Sequence, residues 1–287
     1  MTGTRIDGKI IAQSVKENIK KAVKQLKSQG INPCLTTILI GDDPASATYV
    51  KNKHVACKDM GIMSRDHRLD NSITQKQLNT IIDELNSDTT VHGILVQIPL
   101  PDHLDQFTTI SRISPLKDVD GLTPYNAGML SMNKAALIAC TPLGIMTMLD
   151  YHDIDLQGKN VVLINRSSLV GKPLYHLLLQ RNATVTTCHS KTTNLGEFCK
   201  NADVVITAVG DRTKFTLTPD MISKGAIVID VALSRHSGKL VGDSDYDNII
   251  QKASFATPVP GGVGPMTVTM LLKNTVTAAS LADKIGR

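Results

Sequence analysis

Leu35 to Lys53 reads LTTILIGDDPASATYVKNK, and it sets out the fold in miniature. An apolar run over Leu35 to Ile40 has the look of a strand and halts at the turn cluster Gly41-Asp42-Asp43-Pro44. Asp43 is placed to cap a helix, and Pro44 fits its first turn, where a missing N–H costs nothing. Strand, tight turn and helix together open a β/α unit. On that helix Tyr49 and Lys53 stand at i and i+4, so both side chains leave the same face. A phenol and an amine one turn apart near a strand end form a proton-transfer pair. The alternative is a solvated lysine beside a half-buried tyrosine, since such neighbours are common.

The pattern extends in both directions. Upstream, Ile10, Ile11, Val15, Ile19, Val23 and Leu26 repeat at helical spacing. Downstream, the Tyr49/Lys53 helix should end near Gly61, and a second strand is expected over Met63 to Leu69. Thr74 can cap a helix that buries Leu78, Ile81, Ile82 and Leu85, and Gly93 to Ile98 reads as a third strand running into Pro99-Leu100-Pro101. Strands alternating with helices imply parallel pairing through right-handed crossovers. Chemistry in such sheets gathers at the carboxyl ends of strands, where Gly41 to Pro44 and Gln97 to Pro101 fall.

A new pattern starts at Thr141-Pro142, with Thr141 as cap and Pro142 as first residue of a helix running through Leu149. Strands are expected at Asn160 to Asn165, Thr184 to Cys188, Asp203 to Thr207 and Ala226 to Val231, with a helix over Gly171 to Leu179. This is a doubly wound, Rossmann-like nucleotide-binding pattern. It divides the chain into residues 1–140 and 141–264, with a closing helix from Pro265 (265–287) packing back onto the first part.

The first strand–helix turn of the second part reads NRSSLVG from Asn165 to Gly171 and lacks the three-glycine dinucleotide fingerprint. A helix N-terminus offers free N–H groups and a positive dipole end to a phosphate. Asn165 suits a turn because asparagine visits positive φ more readily than most residues, and Gly171 permits close packing or ligand approach. A plain surface turn is the competing reading. The next strand ends in His189-Ser190-Lys191, without the acid that binds the ribose 2′-hydroxyl in NAD-preferring folds. Arg166, Ser167, Ser190 and, as a further candidate, Lys191 suit a 2′-phosphate instead, so NADP is expected over NAD; Arg166 taken alone reads as a solvated surface arginine. Gly210 closes another strand end where a backbone can approach a cofactor.

Composition narrows the classes. The chain has 287 residues, 41% hydrophobic and 3% aromatic with no Trp, enough for two domains with aliphatic cores. A formal net charge of +5 from 31 basic and 26 acidic residues is no nucleic-acid signature without a recognised module, and favours anionic small substrates. No run approaches the apolar length of a membrane span. Cys34, Cys57, Cys140, Cys188 and Cys199 show no metal-ligand spacing and no CxxC, so no metal site is expected and the cysteines read as reduced, mostly buried thiols of a cytoplasmic protein.

Five segments, taken together, resemble the bifunctional methylenetetrahydrofolate dehydrogenase/methenyltetrahydrofolate cyclohydrolase family: Thr48 to Lys53 (TYVKNK), Gly93 to Pro101 (GILVQIPLP), Lys117 to Gly121 (KDVDG), Cys140 to Pro142 (CTP) and Pro258 to Thr267 (PVPGGVGPMT). The resemblance implies an α/β protein in which a three-layer N-terminal catalytic domain and a Rossmann-like NADP-binding domain flank an active-site cleft. It implies oxidation of 5,10-methylenetetrahydrofolate with NADP and hydrolysis of the methenyl product to 10-formyltetrahydrofolate, a place in one-carbon metabolism and purine biosynthesis, and a homodimer. Lys53 matches the catalytic lysine, Tyr49 the tyrosine against the folate, Gln97 the partner of the lysine and Asp120 the aspartate on the pterin edge. Pro260, Gly261 and Gly262 match the loop lining the folate; Thr141, Asn165, Arg166, Ser167, Ser190, Gly210, Ala232 and Leu233 match cofactor contacts.

The physical logic agrees. A lysine is a poor base at neutral pH unless an apolar cleft disfavours its ammonium form, and a neutral Gln97 orients the amine without restoring a counter-charge. Asp120 suits the N–H groups of a pterin, while Asp118 reads as a turn aspartate. The chain departs from the family pattern in Asn165 for glycine, in Leu122-Thr123 for Phe-His and in Ala232-Leu233-Ser234 for Gly-Ile-Asn. A cyclohydrolase with weakened or NAD-preferring dehydrogenase, and a catalytically silent nucleotide-binding regulator, are the competing functions. The intact Tyr49, Lys53, Gln97 and Asp120 argue against the second.

Overall fold

The computed structural model describes residues 2–236 and 238–286. In chain order its elements are β1 (Thr4–Arg5), α1 (Gly8–Ser28), β2 (Cys34–Ile40), α2 (Pro44–Met60), β3 (Met63–Leu69), α3 (Gln75–Ser87), β4 (Gly93–Val96), α4 (Gln106–Ser111), α5 (Pro124–Ser131) and α6 (Cys140–Tyr151). There follow β5 (Asn160–Ile164), α7 (Gly171–Gln180), β6 (Thr184–Cys188), α8 (Leu195–Lys200), β7 (Val204–Thr207), β8 (Ile227–Asp230), β9 (Ser234–His236), β10 (Lys239–Val241), α9 (Tyr246–Ile249), β11 (Phe255–Ala256) and α10 (Val263–Gly286). The chain forms two compact units, one of residues 1–13 with 141–267 and one of residues 14–140 with 268–287.

The unit built around residues 14–140 holds a parallel sheet in the order β3-β2-β4. Its central strand β2 is buried along its whole length, as both-faced coverage requires. On one face Ile38, Ile40, Ile94 and Val96 pack with Leu78, Ile82 and Leu85 of α3 and Ile110 of α4. On the other, the buried Thr37 hydroxyl meets Nε2 of His54 on α2 at 3.1 Å. Helix, sheet and helix make three layers, and each fully buried Ile or Leu there contributes about 1.5–3 kcal/mol.

The capping residues act as their types suggest. Asp43 accepts from Ser46 N at 2.7 Å, and Gly61 closes α2 with φ 74°. Thr74 and Gln77 form a reciprocal capping box on α3. Two boundaries differ from expectation here. β4 stops at Val96, because Pro99 offers no N–H and Gln97 begins a different role. α10 begins at Val263, two residues before Pro265.

The unit built around residues 141–267 is a doubly wound parallel sheet in the order β1-β11-β8-β7-β5-β6. Two-residue β1 joins β11 across some 250 positions of sequence, a pairing that no local pattern displays. β5, β7 and β8 supply the apolar centre through Val162, Ile164, Val205 and Val228. Thr141 is not a cap. α6 begins at Cys140, so Thr141 lies inside the first turn, and its hydroxyl meets that of Thr267 at 2.9 Å.

Candidate active site

The first cluster sits at the carboxyl end of the β3-β2-β4 sheet. Gly41, with φ 75°, turns the chain from β2 into α2 and so brings Lys53 over the strand ends. Gln97 follows β4, and its N–H donates to Ile38 O at 2.9 Å, which fixes its backbone against β2. The Gln97 side chain is oriented from both ends. Its Nε2 donates to Ile98 O at 2.8 Å, leaving Oε1 to accept from Lys53 Nζ at 3.0 Å. Tyr49, one turn before Lys53, is 49% exposed and presents an open ring.

Asp118 and Asp120 part ways as their surroundings dictate. Asp118 is buried, with Oδ1 accepting from Leu122 N and Oδ2 from Thr123 N and Asn126 Nδ2, so it is the turn aspartate. Neighbouring Lys117 is likewise structural, donating to Leu85 O and Asp88 O. Among the described residues no such backbone donor reaches Asp120. Burial pushes its carboxyl up from the ordinary value, Lys53 pulls it back, Asp118 raises it again, and a hydrogen bond from the Cys140 thiol lowers it. The Cys140 thiol is pushed well above its usual range by burial and by Asp120, so it serves as a donor and not as a nucleophile.

Sequence reasoning overlooked the support beneath Asp120. Asn274 of α10 donates at 2.8 Å to both Val119 O and Ile138 O, tying the Val119–Asp120 peptide to the Ile138–Ala139 peptide. Gly121, at φ 70°, lets that chain lie flush on the Ile138–Ala139 peptide, where any Cβ would collide. A lone asparagine within an apolar helix is the one signal that marked Asn274.

The second cluster lies around the β5–α7 turn of the other unit. Asn165, Arg166, Ser167, His189, Ser190, Thr192, Ala208, Val209, Lys214 and Phe215 contribute to a cavity of about 540 Å³ whose lining holds no carboxylate. A lining that offers a guanidinium and two serine hydroxyls fits a phosphorylated ribose, and its apolar wall fits a planar base, while the Lys214 ammonium is ion-paired with Asp211 at 2.6 Å. Predicted contacts Thr141, Gly210, Ala232 and Leu233 lie outside this lining; its polar members Lys214, Thr192 and His189 were not selected by sequence reasoning.

Two expectations for the turn are corrected. Asn165 does not take a positive φ. Its side chain explains it instead: Oδ1 accepts from Ser167 N at 2.8 Å and Gly171 N at 3.0 Å, and Nδ2 donates to Ala208 O at 2.6 Å. Nor does α7 offer free N–H groups in its first turn. Gly171 N goes to Asn165, Lys172 N to Ser167 O, Pro173 has none, and Leu174 N goes to Val170 O. Gly171 is required by this turn itself, since a Cβ there would stand 2.5 Å from Asn165 O.

Two buried acids organise the neighbouring strand ends. Asp243 accepts from the Thr207 hydroxyl, Val209 N and Gly210 N. Asp230 accepts from Ala232 N, Asp243 N and both Ser244 donors, so Gly210 and Ala232 are held by carboxylates. The Pro258 to Gly264 loop is braced from its own unit: Gly8 N donates to Gly261 O at 3.0 Å, and Gly261 takes φ 103°. The five cysteines are buried and free, and no helix of the described residues is long and apolar enough to cross a membrane.

Comparison with known proteins bears on both clusters. The profile described as "Tetrahydrofolate dehydrogenase/cyclohydrolase, catalytic domain" matches residues 6–120, and that of the "NAD(P)-binding domain" of the same family matches residues 139–283. The chain is similar to the "Bifunctional protein FolD" of Nitrosopumilus maritimus (strain SCM1), 73% identical over 287 residues and 100% of both chains. It also resembles the crystal structure of the bifunctional enzyme FolD from Campylobacter jejuni, with TM-score 0.94 and 46% identity over 97% of this chain and 99% of that one. A FolD from Trypanosoma brucei, solved with NADP cofactor and inhibitor, matches at TM-score 0.93 and 34% identity over 99% of each chain.

Proposed function

Because the chain belongs to the tetrahydrofolate dehydrogenase/cyclohydrolase family, we propose that it oxidises 5,10-methylenetetrahydrofolate and then hydrolyses the methenyl product to 10-formyltetrahydrofolate. The observation that carries this reading is the oriented Lys53–Gln97 bond at 3.0 Å with Asp120 in electrostatic reach of the amine.

In the first step a hydride leaves the one-carbon bridge and a methenyl cation remains. NADP, when bound, supplies the hydride acceptor. Arg166, Ser167 and Ser190 hold its 2′-phosphate, while Thr141, Asn165, Gly210, Ala232 and Leu233 shape the rest of the dinucleotide site. In the second step water adds to the methenyl carbon, the bond from that carbon to N5 breaks, and the formyl group stays on N10. Lys53 takes a proton from the attacking water and returns one to N5. Gln97 aims the amine by accepting one of its N–H groups. Asp120 accepts from the pterin N–H edge, Tyr49 lies against the folate ring, and Pro260, Gly261 and Gly262 line the substrate. Proton transfer thus belongs to the unit around residues 14–140 and dinucleotide recognition to the unit around 141–267. The working protein is a homodimer, which light scattering on the eluted protein would test.

One assay tests the function. The protein is mixed with 5,10-methylenetetrahydrofolate and NADP or NAD, and absorbance of methenyl folate and reduced cofactor is followed. The expected record is faster reduction of NADP than of NAD, with methenyl absorbance that decays. No reduction of either cofactor would contradict the reading.

A further inference from the structure

Asn274 is a carboxamide, 3% exposed, in the helix α10 that closes the chain. Its Nδ2 donates at 2.8 Å to Val119 O and at 2.8 Å to Ile138 O, and the same nitrogen stands 3.7 Å from Cys140 Sγ. The Cys140 thiol carries one hydrogen and has two acceptors within reach, Val119 O at 3.3 Å and the Asp120 carboxylate. Asn274 already supplies Val119 O, so the thiol hydrogen is left for Asp120. On the other side of Asp120, Gly121 N donates to Asp118 O at 3.1 Å, and the Ile138–Ala139 peptide leaves Gly121 no room for a Cβ. All of these residues belong to the unit around residues 14–140.

We propose that Asn274 is a positioning residue for the folate reaction: by holding the Val119 and Ile138 carbonyls and leaving the Cys140 thiol to Asp120, it fixes the carboxylate that receives the pterin. The inference rests on the assignment of Asp120 to the pterin edge and adds what sets that carboxylate. Asn274 acts through Asp120 and needs no contact with the substrate. A carboxamide that served packing alone would weaken the fold and every kinetic constant with it. Here its contacts converge on the backbone that carries Asp120 and on the thiol that donates to it. The charged and titratable groups that act on Asp120 are Lys53 of α2, Asp118 of its own turn and Cys140 at the head of α6.

The test is steady-state oxidation of 5,10-methylenetetrahydrofolate across pH for the parent chain, Asn274→Ala and Asn274→Ser, with NADP varied in a second series and thermal melting to show that each variant is folded. Asn274→Ser keeps a single, shorter donor and serves where alanine unfolds the chain. For Asn274→Ala the folate KM should rise about tenfold, the scale of one hydrogen bond to a charged group, while kcat and the KM for NADP stay near parental. The thiol then turns to Val119 O and Asp120 loses a bond that favours its charged form. The acid limb of the folate KM profile should therefore move to higher pH by about half a unit. Asn274→Ser should fall between the two, and in an Asp120→Asn background Asn274→Ala should add nothing to the folate KM. An unshifted acid limb, a loss spread over kcat and the NADP KM, full additivity with Asp120→Asn, or failure of both variants to fold would overturn the proposal and leave Asn274 a packing residue. A parental folate KM in Asp120→Asn alone would instead defeat the pterin reading of Asp120, and this proposal with it.

Discussion

The cluster around Lys53 and the turn around Asn165 handle polar groups in opposite ways. Among the described residues Lys53 makes one oriented bond, to Gln97, and no backbone donor of the kind that fills Asp118 reaches Asp120, while Tyr49 is half exposed. At Asn165 every amide of the helix start is taken by the turn itself. A group that must exchange protons or grip a substrate has to keep capacity in hand, and the surrounding structure supplies orientation only. A turn that must hold a shape is better saturated, since each buried unmet amide costs about 1–3 kcal/mol. Chemistry and recognition are therefore distinguishable by how completely each site meets its own hydrogen-bonding needs.

Substitutions can break this contrast. Lys53→Ala should lower the rate of methenyl hydrolysis by about 10²–10⁴, the usual worth of a positioned proton carrier. Steady-state absorbance at saturating folate measures it. Arg166→Ala should weaken NADP by about tenfold to a hundredfold and NAD far less, because only NADP carries the 2′-phosphate. Equal losses would remove the phosphate role. Gly171→Ala drives a methyl into Asn165, and at an overpacking cost of about 1–3 kcal/mol it should weaken both dinucleotides about tenfold. The smallest effect is a pH dependence. Burial raises the Asp120 carboxyl above its ordinary value, so it gains a proton at a higher pH than an exposed aspartate as the solution is acidified. KM for the folate should rise severalfold as pH falls toward the carboxylate range, and Asp120→Asn should flatten that profile.

Much of this was legible from residues that act locally. Asp43, Gly61 and Thr74 cap their helices by short-range bonds, so their types and spacing are sufficient to place them. The Tyr49/Lys53 pair follows from helical geometry alone. What stayed hidden depends on distant partners. The Thr141 hydroxyl is claimed by Thr267, and β1 finds β11 only in the folded chain. Asn274 supports the Asp120 turn from the last helix, while Asp243 holds Val209 and Gly210 from a loop more than thirty positions away. Asn165 was legible as a turn residue, but its physical reason lies in its amide and not in its backbone angle.

The division of labour between the two clusters is tested most directly by hydrolysis of 5,10-methenyltetrahydrofolate with no dinucleotide present, measured on the parent chain, Lys53→Ala and Gly171→Ala. The account predicts that Lys53→Ala loses the reaction while Gly171→Ala keeps it. Near-parental hydrolysis by Lys53→Ala would contradict it.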